Sequence, residues 1–268
     1  MIHLFRKIRF YNLKNSRFKK YLLYATGEII LVVVGILLAL QFNNWNIEKE
    51  NAKKESWYLI NIVEDIEYQK GDLKEQKRIY ETNLNIAKSI LKDYKTFKDF
   101  SKIDSLNEKL NNLMVSDNFP NINNTYQELV SSGQQNIISD KELSIDIIDY
   151  YLFCNDNYMD IKNDNDNIFY KEVHPVFYSL SETQLTDFEL SKEELSLQEP
   201  NKEVSEYIKK QLRNPELILK LLNALKTTII VHTEHLEMIT ETLSAGKELI
   251  QQIDDYLGLT PEMVNHYD

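Results

Sequence analysis

The feature that most constrains this chain is a long apolar stretch near its N-terminus, YLLYATGEIILVVVGILLALQFNNW at Tyr21–Trp45. The 19 residues from Ile29 to Ile47 carry no charge. Because a helix rises about 1.5 Å per residue, a helix over this stretch is long enough to cross a hydrocarbon core about 30 Å thick. We therefore predict a basic cytoplasmic segment over residues 1–20, a transmembrane anchor over 21–45 and a folded extracytoplasmic domain over 46–268.

The charge on either side of the stretch predicts its orientation. Residues 1–28 hold seven of the 31 Lys and Arg residues but only one of the 42 acids, so the remaining 240 residues have a net charge of −17. Basic residues that flank a span stay in the cytoplasm, so we expect a single pass with the N-terminus inside. Tyr21 and Tyr24 suit the inner interface, and Trp45 suits the outer one.

A cleaved signal peptide is the main alternative, because it also combines a basic start with an apolar run. Such a peptide ends in a cleavage site with small residues at alternating positions. Here the apolar run that ends at Leu40 is followed by QFNNWN, which lacks that pattern. The sequence therefore favours an uncleaved anchor.

Composition predicts an all-α protein, in which a single N-terminal transmembrane helix precedes an elongated antiparallel helical bundle. Six Gly and five Pro in 268 residues are too few for a protein built from strands and tight turns. The single cysteine, Cys154, excludes an internal disulfide. The acidic domain also argues against nucleic acid as a partner, since phosphates are repelled by negative charge.

Two long helices are predicted to frame the bundle. Apolar residues recur at three- and four-residue steps from Glu48 to about Phe100, which is typical of a helix with one buried face. A second helix is predicted to start at Asn214 and Pro215 and to stop at Gly258. Its predicted seam, with a mean step of 3.5 residues as in a coiled coil, comprises Ile218, Leu222, Leu225, Ile229, His232, Leu236, Ile239, Leu243, Gly246, Ile250, Ile253 and Leu257.

Shorter elements fill the middle of the chain. We predict a helix over residues 102–114, a loop over 117–124 and a short helix over 126–131 that ends at Gly133. A further short helix is expected at Ser191 and Glu194, which match a capping box.

The strongest local signal predicts a long helix that starts at Ser139. Ser139 and Glu142 match a capping box, with Ile138 and Leu143 placed as a hydrophobic staple. We expect this helix to end near residue 173, because Pro175 follows.

Four residues of the anchor are candidate contacts with lipid or with a partner helix. Glu28 is the only ionisable residue within the apolar stretch, and two interpretations of it are open. Either it lies near the inner boundary, where it reaches toward the headgroups or stays protonated, or it contacts a partner span, as intramembrane acids often do. Gly35 and Ala39 form a small-x-x-x-small pair that permits close approach of helices, and Trp45 marks the outer interface.

The other chemically notable residues favour structural roles. His232 and His235 have a spacing that can hold a metal, but no third ligand is evident, so we expect packed histidines, with a Tyr hydroxyl as a possible partner of His232. The acidic run Asp156–Asp166 lacks the glycine and the final Glu of a calcium loop. Cys154 lies on an apolar stripe and is expected to be a buried thiol.

Two segments resemble one known family. The stretch KYLLYATGEIILVVVGILLALQFNNWN (Lys20–Asn46) and the stretch TYQELVSSGQQNIISDKEL (Thr125–Leu143) are similar to the signatures of an uncharacterised family of single-pass membrane proteins of Bacteroidota, domain of unknown function 6090. The resemblance implies that Glu28, Gly35 and Asn43–Asn46 belong to a recurring anchor pattern. It also implies an inner membrane location with the domain in the periplasm, and it brings no activity or cofactor.

These observations favour a non-enzymatic function. No nucleotide-binding glycine loop, serine hydrolase elbow or zinc protease motif occurs in the sequence, so we predict no catalytic residue and no cofactor. The preferred hypothesis is a membrane-anchored interaction or scaffold module that contacts the lipid bilayer and binds itself or another envelope protein. The alternative is a ligand-sensing helical bundle that signals through a partner.

Overall fold

The computed structural model describes residues 16–183 and 202–259, and all the regular secondary structure within those ranges is helical. The all-α prediction is therefore confirmed. The chain divides into two compact units, Met1–Trp57 and Tyr58–Asp268. The predicted short helix at Ser191 and Glu194 and most of the basic segment over residues 1–20 lie outside the described residues.

Seven α-helices are present in the described residues. They are α1 (Ser16–Phe97), α2 (Leu106–Asn112), α3 (Asn124–Ser131), α4 (Lys141–Asp164), α5 (His174–Ser179), α6 (Lys202–Gln211) and α7 (Pro215–Leu257). A π-helical segment, Asn165–Val173, joins α4 to α5 without a break, and short 3₁₀ turns occupy Phe100–Lys102 and Gln135–Ile137.

In the first unit, α1 contains a stretch that is long and apolar enough to cross a membrane. The large apolar side chains from Tyr21 to Trp45 are 47–81% exposed, so this stretch is not part of a core in the described chain. Asn43–Asn46 does not interrupt the helix. Extended apolar surface of this kind is typical of a segment that contacts the hydrocarbon core of a membrane.

In the second unit, α1 and α7 pack antiparallel. Ile66 on α1 lies close to Gly246 on α7, whereas Tyr80, further along α1, stacks on His232, which comes earlier in α7. This pairing agrees with the predicted antiparallel frame. Helix α4 packs against α7 and completes a three-helix contact at Gly246, where Tyr150 of α4 also approaches.

The core of this unit has two apolar clusters. One is built around Leu59, Ile62, Ile147 and Ile253, and the other around Ile90, Phe100, Phe177 and Leu225. Each cluster combines residues from α1 with residues from the later helices. Burying each such aliphatic or aromatic side chain stabilises the folded state by roughly 1.5–3 kcal/mol relative to leaving it exposed.

The ends of α7 agree with the sequence. Asn214 Oδ1 accepts a hydrogen bond from Glu216 N at 2.9 Å, as expected of an N-cap, and Pro215 begins the helix. Gly258 ends the helix with φ +68°, and Gly133 follows α3 with φ +69°. Both values lie in the left-handed region that glycine adopts without strain, so both predicted stops are confirmed.

The predicted cap of α4 is wrong by one residue. Asp140, not Ser139, is the N-cap, and its Oδ1 accepts hydrogen bonds from Glu142 N (2.9 Å) and Leu143 N (3.0 Å). A carboxylate at this position accepts two backbone N–H groups and complements the positive end of the helix dipole. Ile138 and Leu143 are nevertheless both buried in the core.

The predicted break at Pro175 is also wrong. Pro175 lies in the first turn of α5, directly after the π-helical segment. In that segment His174 N bonds to Phe169 O, five residues back, which places one extra residue in the turn. Because a proline in the first turn of a helix needs no N–H donor, the chain stays helical through this position.

The predicted seam of α7 is half correct. The row Leu225, His232, Ile239, Gly246 and Ile253 is buried as expected, and so is Ile250 of the other predicted row. The second buried row, however, comprises Leu221, Thr228, His235, Thr242 and Leu249, and the apolar residues Leu222, Ile229, Leu236 and Leu243 lie at the edge of the core, only partly exposed. The buried rows are thus three residues apart, and the second one contains polar side chains.

Candidate functional site

A row of amide side chains on α1 is buried in the second unit. Gln69, Gln76 and Asn83 are seven residues apart and at most 4% exposed. Their side-chain nitrogens donate to the backbone carbonyls of Pro120 (2.6 Å), Asp117 (3.1 Å) and Val115 (3.4 Å), respectively. We call these three residues the amide row.

The amide row explains how the central loop is held. Residues 115–123 form neither helix nor strand, close to the loop predicted for 117–124, so their carbonyls need donors other than regular backbone partners. Tyr80 supplies one more donor, since its hydroxyl bonds to Asp117 O at 2.8 Å and accepts from Gln76 Nε2 at 3.2 Å. The loop is therefore fixed along α1 by side chains.

The first residue of the π-helical segment holds the loop from its other side. Asn165 is 1% exposed and its Nδ2 donates to Asp117 O (2.9 Å) and Asn118 Oδ1 (3.1 Å). Its Oδ1 accepts a hydrogen bond from Ser116 Oγ at 2.7 Å. Both ends of this amide are satisfied, so Asn165 joins the loop to the end of α4.

Two histidines of α7 meet Tyr80 in the interior. His232 is 1% exposed and its ring stacks on that of Tyr80 with centroids 4.7 Å apart. His235 is fully buried, lies 5.4 Å from the same ring, and its Nε2 is 3.1 Å from Asp164 Oδ2. Both are packed in the core, as predicted. The predicted hydroxyl partner of His232 is wrong, because Tyr80 presents its ring to His232 and its hydroxyl to the loop.

Burial keeps the two imidazoles neutral. Desolvation lowers the pKa of His232 to about 4, with a smaller contribution from His235. Desolvation also lowers the pKa of His235, although the hydrogen bond to Asp164 opposes it. A neutral His235 donates its Nε2 proton to the carboxylate, which only accepts. Within the described residues, the Nδ1 atoms of both rings have no hydrogen-bond partner.

A small cavity lies beside His232. It has a volume of about 10 Å³ and is lined by Ser116, Asn165, Thr228, His232 and apolar residues of the π-helical segment. That volume is close to the smallest space that holds one water molecule. Most of the lining is apolar, and the Ser116 and Asn165 side chains that reach it already hydrogen bond to each other, so the space suits at most one water molecule.

A second polar contact lies between α1 and α4. Tyr150 donates to Gln69 Oε1 at 2.7 Å, and Cys154 Sγ lies 3.9 Å from the same oxygen. Burial raises the pKa of Cys154 to about 11, so it is a thiol at neutral pH, as the sequence predicted for a buried cysteine. Burial likewise raises the pKa of Tyr150. These groups are structural donors and acceptors in their neutral forms.

The acidic run from Asp156 to Asp166 does not converge on one point. Asp164 points inward to His235, whereas Asp166 pairs with Lys162 on the surface. Within residues 16–183 and 202–259, no group of three His, Cys, Asp or Glu side chains is arranged to hold a metal ion.

The anchor candidates lie together on the surface of the first unit. Glu28, Gly35 and Ala39 are all exposed, and their spacings of seven and four residues place them on one face of α1. A Cβ added at Gly35 would meet no atom within 4 Å. Trp45 is 60% exposed and lies off that face, with Lys49 Nζ 5.6 Å from its ring centroid.

The buried polar residues are the part of this site that sequence patterns missed. Gln69, Gln76 and Asn83 on α1, like Thr228 and Thr242 on α7, do not contribute to apolar periodicity. The seven-residue spacing of the three amide residues beside the apolar stripe of α1 is the sequence signal that could have identified them as buried.

Comparison with known proteins places the chain in one family without an established activity. No curated protein and no solved structure matches it. The family model described as a family of unknown function (DUF6090) matches residues 28–188, which is more than half of the chain, and the match covers Glu28, the amide row and α4. The chain therefore belongs to the DUF6090 family of unknown function.

Proposed function

We propose that this protein is a membrane-anchored interaction module, in which α1 fixes a helical bundle to the bilayer and presents it to a partner. The observation that carries this proposal is the exposed apolar stretch of α1, which has the length and composition of a membrane span. Apolar surface of this extent is costly in water and needs lipid or another protein around it.

The orientation follows from the distribution of charge. The N-terminal 28 residues are basic and the remainder has a net charge of −17. The positive-inside rule supports a cytoplasmic N-terminus with the second unit on the opposite side of the membrane, and the family resemblance of the anchor implies that this side is the periplasm.

The anchor itself supplies a contact for a partner helix. Glu28, Gly35 and Ala39 share a face of α1, and the two small residues let a second helix approach closely. An acid on that face gains from a donor on the partner, since an isolated carboxyl group in hydrocarbon is costly. The partner is a second copy of α1 or the span of another envelope protein.

The test combines topology with crosslinking in membranes. A C-terminal alkaline phosphatase fusion is expected to be active, because that enzyme folds only outside the cytoplasm. Photo-crosslinking through a phenylalanine analogue placed beside Gly35 is expected to give a dimer or a specific heteromer, and Gly35→Leu is expected to reduce the product at least several-fold. Gly27→Leu is the matched control, because Gly27 has similar open surroundings and lies on another face.

Three outcomes would refute the proposal. An inactive phosphatase fusion with an active cytoplasmic reporter would reverse the topology. Equal loss of crosslinking in Gly27→Leu and Gly35→Leu would mean that no specific face is used. A protein that stays monomeric and crosslinks to nothing in native membranes would remove the interaction module altogether.

The central loop supports a second candidate, a ligand-sensing bundle. The loop over residues 115–123 is held by the amide row and by Asn165, and a π-helical segment, a feature common at functional sites, adjoins it. A thermal-shift screen with small polar metabolites tests this candidate. A ligand that raises the melting temperature of the protein would support it, and a screen without a hit would count against it.

A further inference from the structure

Helix α4 has an apolar row on its outer surface. Ile145, Leu152 and Met159 are seven residues apart and are 55%, 54% and 55% exposed. The same helix buries Leu143 and Ile147 on its inner face. The outer row is therefore additional to the residues that α4 needs for packing in the bundle. We call it the outer row.

The outer row has no counterpart on the other long helices. Beyond Trp57, the large apolar residues exposed on α1 are Tyr68 and Phe97. On α7 they are Leu219, Ile230 and Tyr256. None of these residues repeats at a seven-residue step on its helix. Single exposed apolar residues are ordinary on protein surfaces, but a repeat along one line of a helix is the pattern of a helix–helix contact.

Acidic residues accompany the outer row. Asp149 and Asp156 follow Ile145 and Leu152 by four residues, so they lie on the same exposed face. Neither has an ion-pair partner among the described residues. The stretch 141–161 contains five acids and one base, Lys141 at its N-terminal end, so the helix has a net negative charge along this face.

We propose that this face of α4 binds an amphipathic helix of a partner protein, with apolar residues at seven-residue spacing flanked by Lys or Arg. From Ile145 to Met159 the face is about 21 Å long at 1.5 Å per residue, which corresponds to two heptads of the partner. The apolar residues supply burial, and the basic residues pair with Asp149 and Asp156. This inference rests on the proposed interaction function and specifies its partner.

Charge argues against the other occupants of the face. A second copy packed through the same face would bring Asp149 and Asp156 near their own counterparts, and like charges in register are unfavourable. An anionic lipid surface would be repelled in the same way. A basic helix satisfies both the apolar row and the acids.

The experiment uses the full chain in the membranes of the cells that produce it. A photo-crosslinking phenylalanine analogue is placed at Leu152 and, as the matched control, at Ile230, which is 58% exposed on α7. The crosslinked peptide is identified by mass spectrometry. We expect an adduct from position 152 and not from 230, on a peptide with net positive charge and an apolar heptad row.

Charge dependence then tests the mechanism of binding. Combining Asp149→Asn with Asp156→Asn is expected to reduce the adduct at position 152 at least about fivefold, and so is 0.5 M salt, because surface ion pairs are screened. The matched control combines Glu237→Gln with Glu241→Gln on α7, two exposed acids with the spacing of a single helical turn. It is expected to leave the adduct unchanged.

The outcomes separate this inference from the proposed function. An adduct from position 152 on an acidic peptide, on a second copy of this chain or on lipid would overturn the inference, as would equal adducts from 152 and 230. If position 152 gives no adduct while a phenylalanine analogue beside Gly35 still crosslinks a partner, the α4 face is not used and the interaction function stands. If neither position gives a product, both proposals fall.

Discussion

Acidification tests the buried histidines most directly. His232 has a pKa of about 4 in the folded protein, against an ordinary value of 6.5, because burial disfavours the charged ring. The groups that face it are the ring of Tyr80 on α1 and His235 on its own helix, and Asp164 lies behind His235. Below pH 6.5 the unfolded chain binds a proton at His232 and the folded chain does not. Stability is therefore full above pH 6.5 and is lost as the pH falls toward 4.

The lowered pKa of His232 determines how much stability is lost in acid. A pKa difference of 2.5 is worth about 3 kcal/mol at 1.36 kcal/mol per pKa unit, and about 2 kcal/mol of it is lost between pH 7.5 and pH 5. His235 contributes in the same direction, because burial also lowers its pKa. The free energy of unfolding is measured by urea titration of the full chain in a nonionic detergent, followed by circular dichroism at several pH values.

Two variants make the prediction refutable. His232→Phe keeps a ring against Tyr80 but cannot titrate, so it is expected to lose about 2 kcal/mol less than the wild type between pH 7.5 and pH 5. Thr228→Val is the control, because it alters the lining of the same cavity without removing a titrating group. It is expected to keep the wild-type pH dependence. If His232→Phe loses as much stability in acid as the wild type, burial of a neutral His232 is not the cause.

Three further predictions concern packing and polar contacts. Gly246→Ala is expected to lower the free energy of unfolding by about 1–3 kcal/mol, because its Cβ would lie 3.1 Å from both a methyl group of α1 and a hydroxyl of α4. Gly71→Ala, in open space within α1, is expected to raise it by up to about 1 kcal/mol. Thermal unfolding distinguishes the two signs. Gln69→Leu is expected to cost roughly 1–3 kcal/mol in the same assay, since it removes the donor to Pro120 O and the acceptor for Tyr150. Cys154 is expected to resist maleimide at pH 8 until the chain unfolds, because the thiol is fully buried and has a pKa of about 11. Labelling at the same rate with and without urea would contradict this prediction.

The features that were predicted correctly from the sequence are those set by neighbouring residues, such as the ends of helices. The start of α7 at Asn214 and Pro215 and its stop at Gly258 follow from capping and backbone conformation, which depend on neighbouring residues alone. The antiparallel frame follows from two long amphipathic helices that have to bury their apolar faces. Near Ser139 the same signals place the cap one residue early, because Asp140 offers an equally good side chain at the next position.

Polar residues in the core were not predictable in the same way. A Gln or a His is tolerated inside only when a partner is present there, and the partners are distant in sequence. Gln69 bonds to Pro120, 51 residues away, and His235 meets Asp164, 71 residues away. Apolar periodicity carries no information on such pairs, so it favoured the partly exposed apolar row of α7 over the buried polar one.

These polar residues, together with Gly246, give the bundle a single register. Apolar rows that repeat every seven residues are nearly unchanged when one helix slides by a heptad, so burial alone selects weakly among registers. A slip of α7 by seven residues would bring Ile239 or Ile253 to the place of Gly246, where even a single Cβ atom would lie only 3.1 Å from Tyr150 Oη. It would also leave Asp164 facing a threonine, because Thr228 and Thr242 flank His235 at that spacing. A partner helix bound to the outer row of α4 therefore meets a surface whose position along the bundle is fixed from inside.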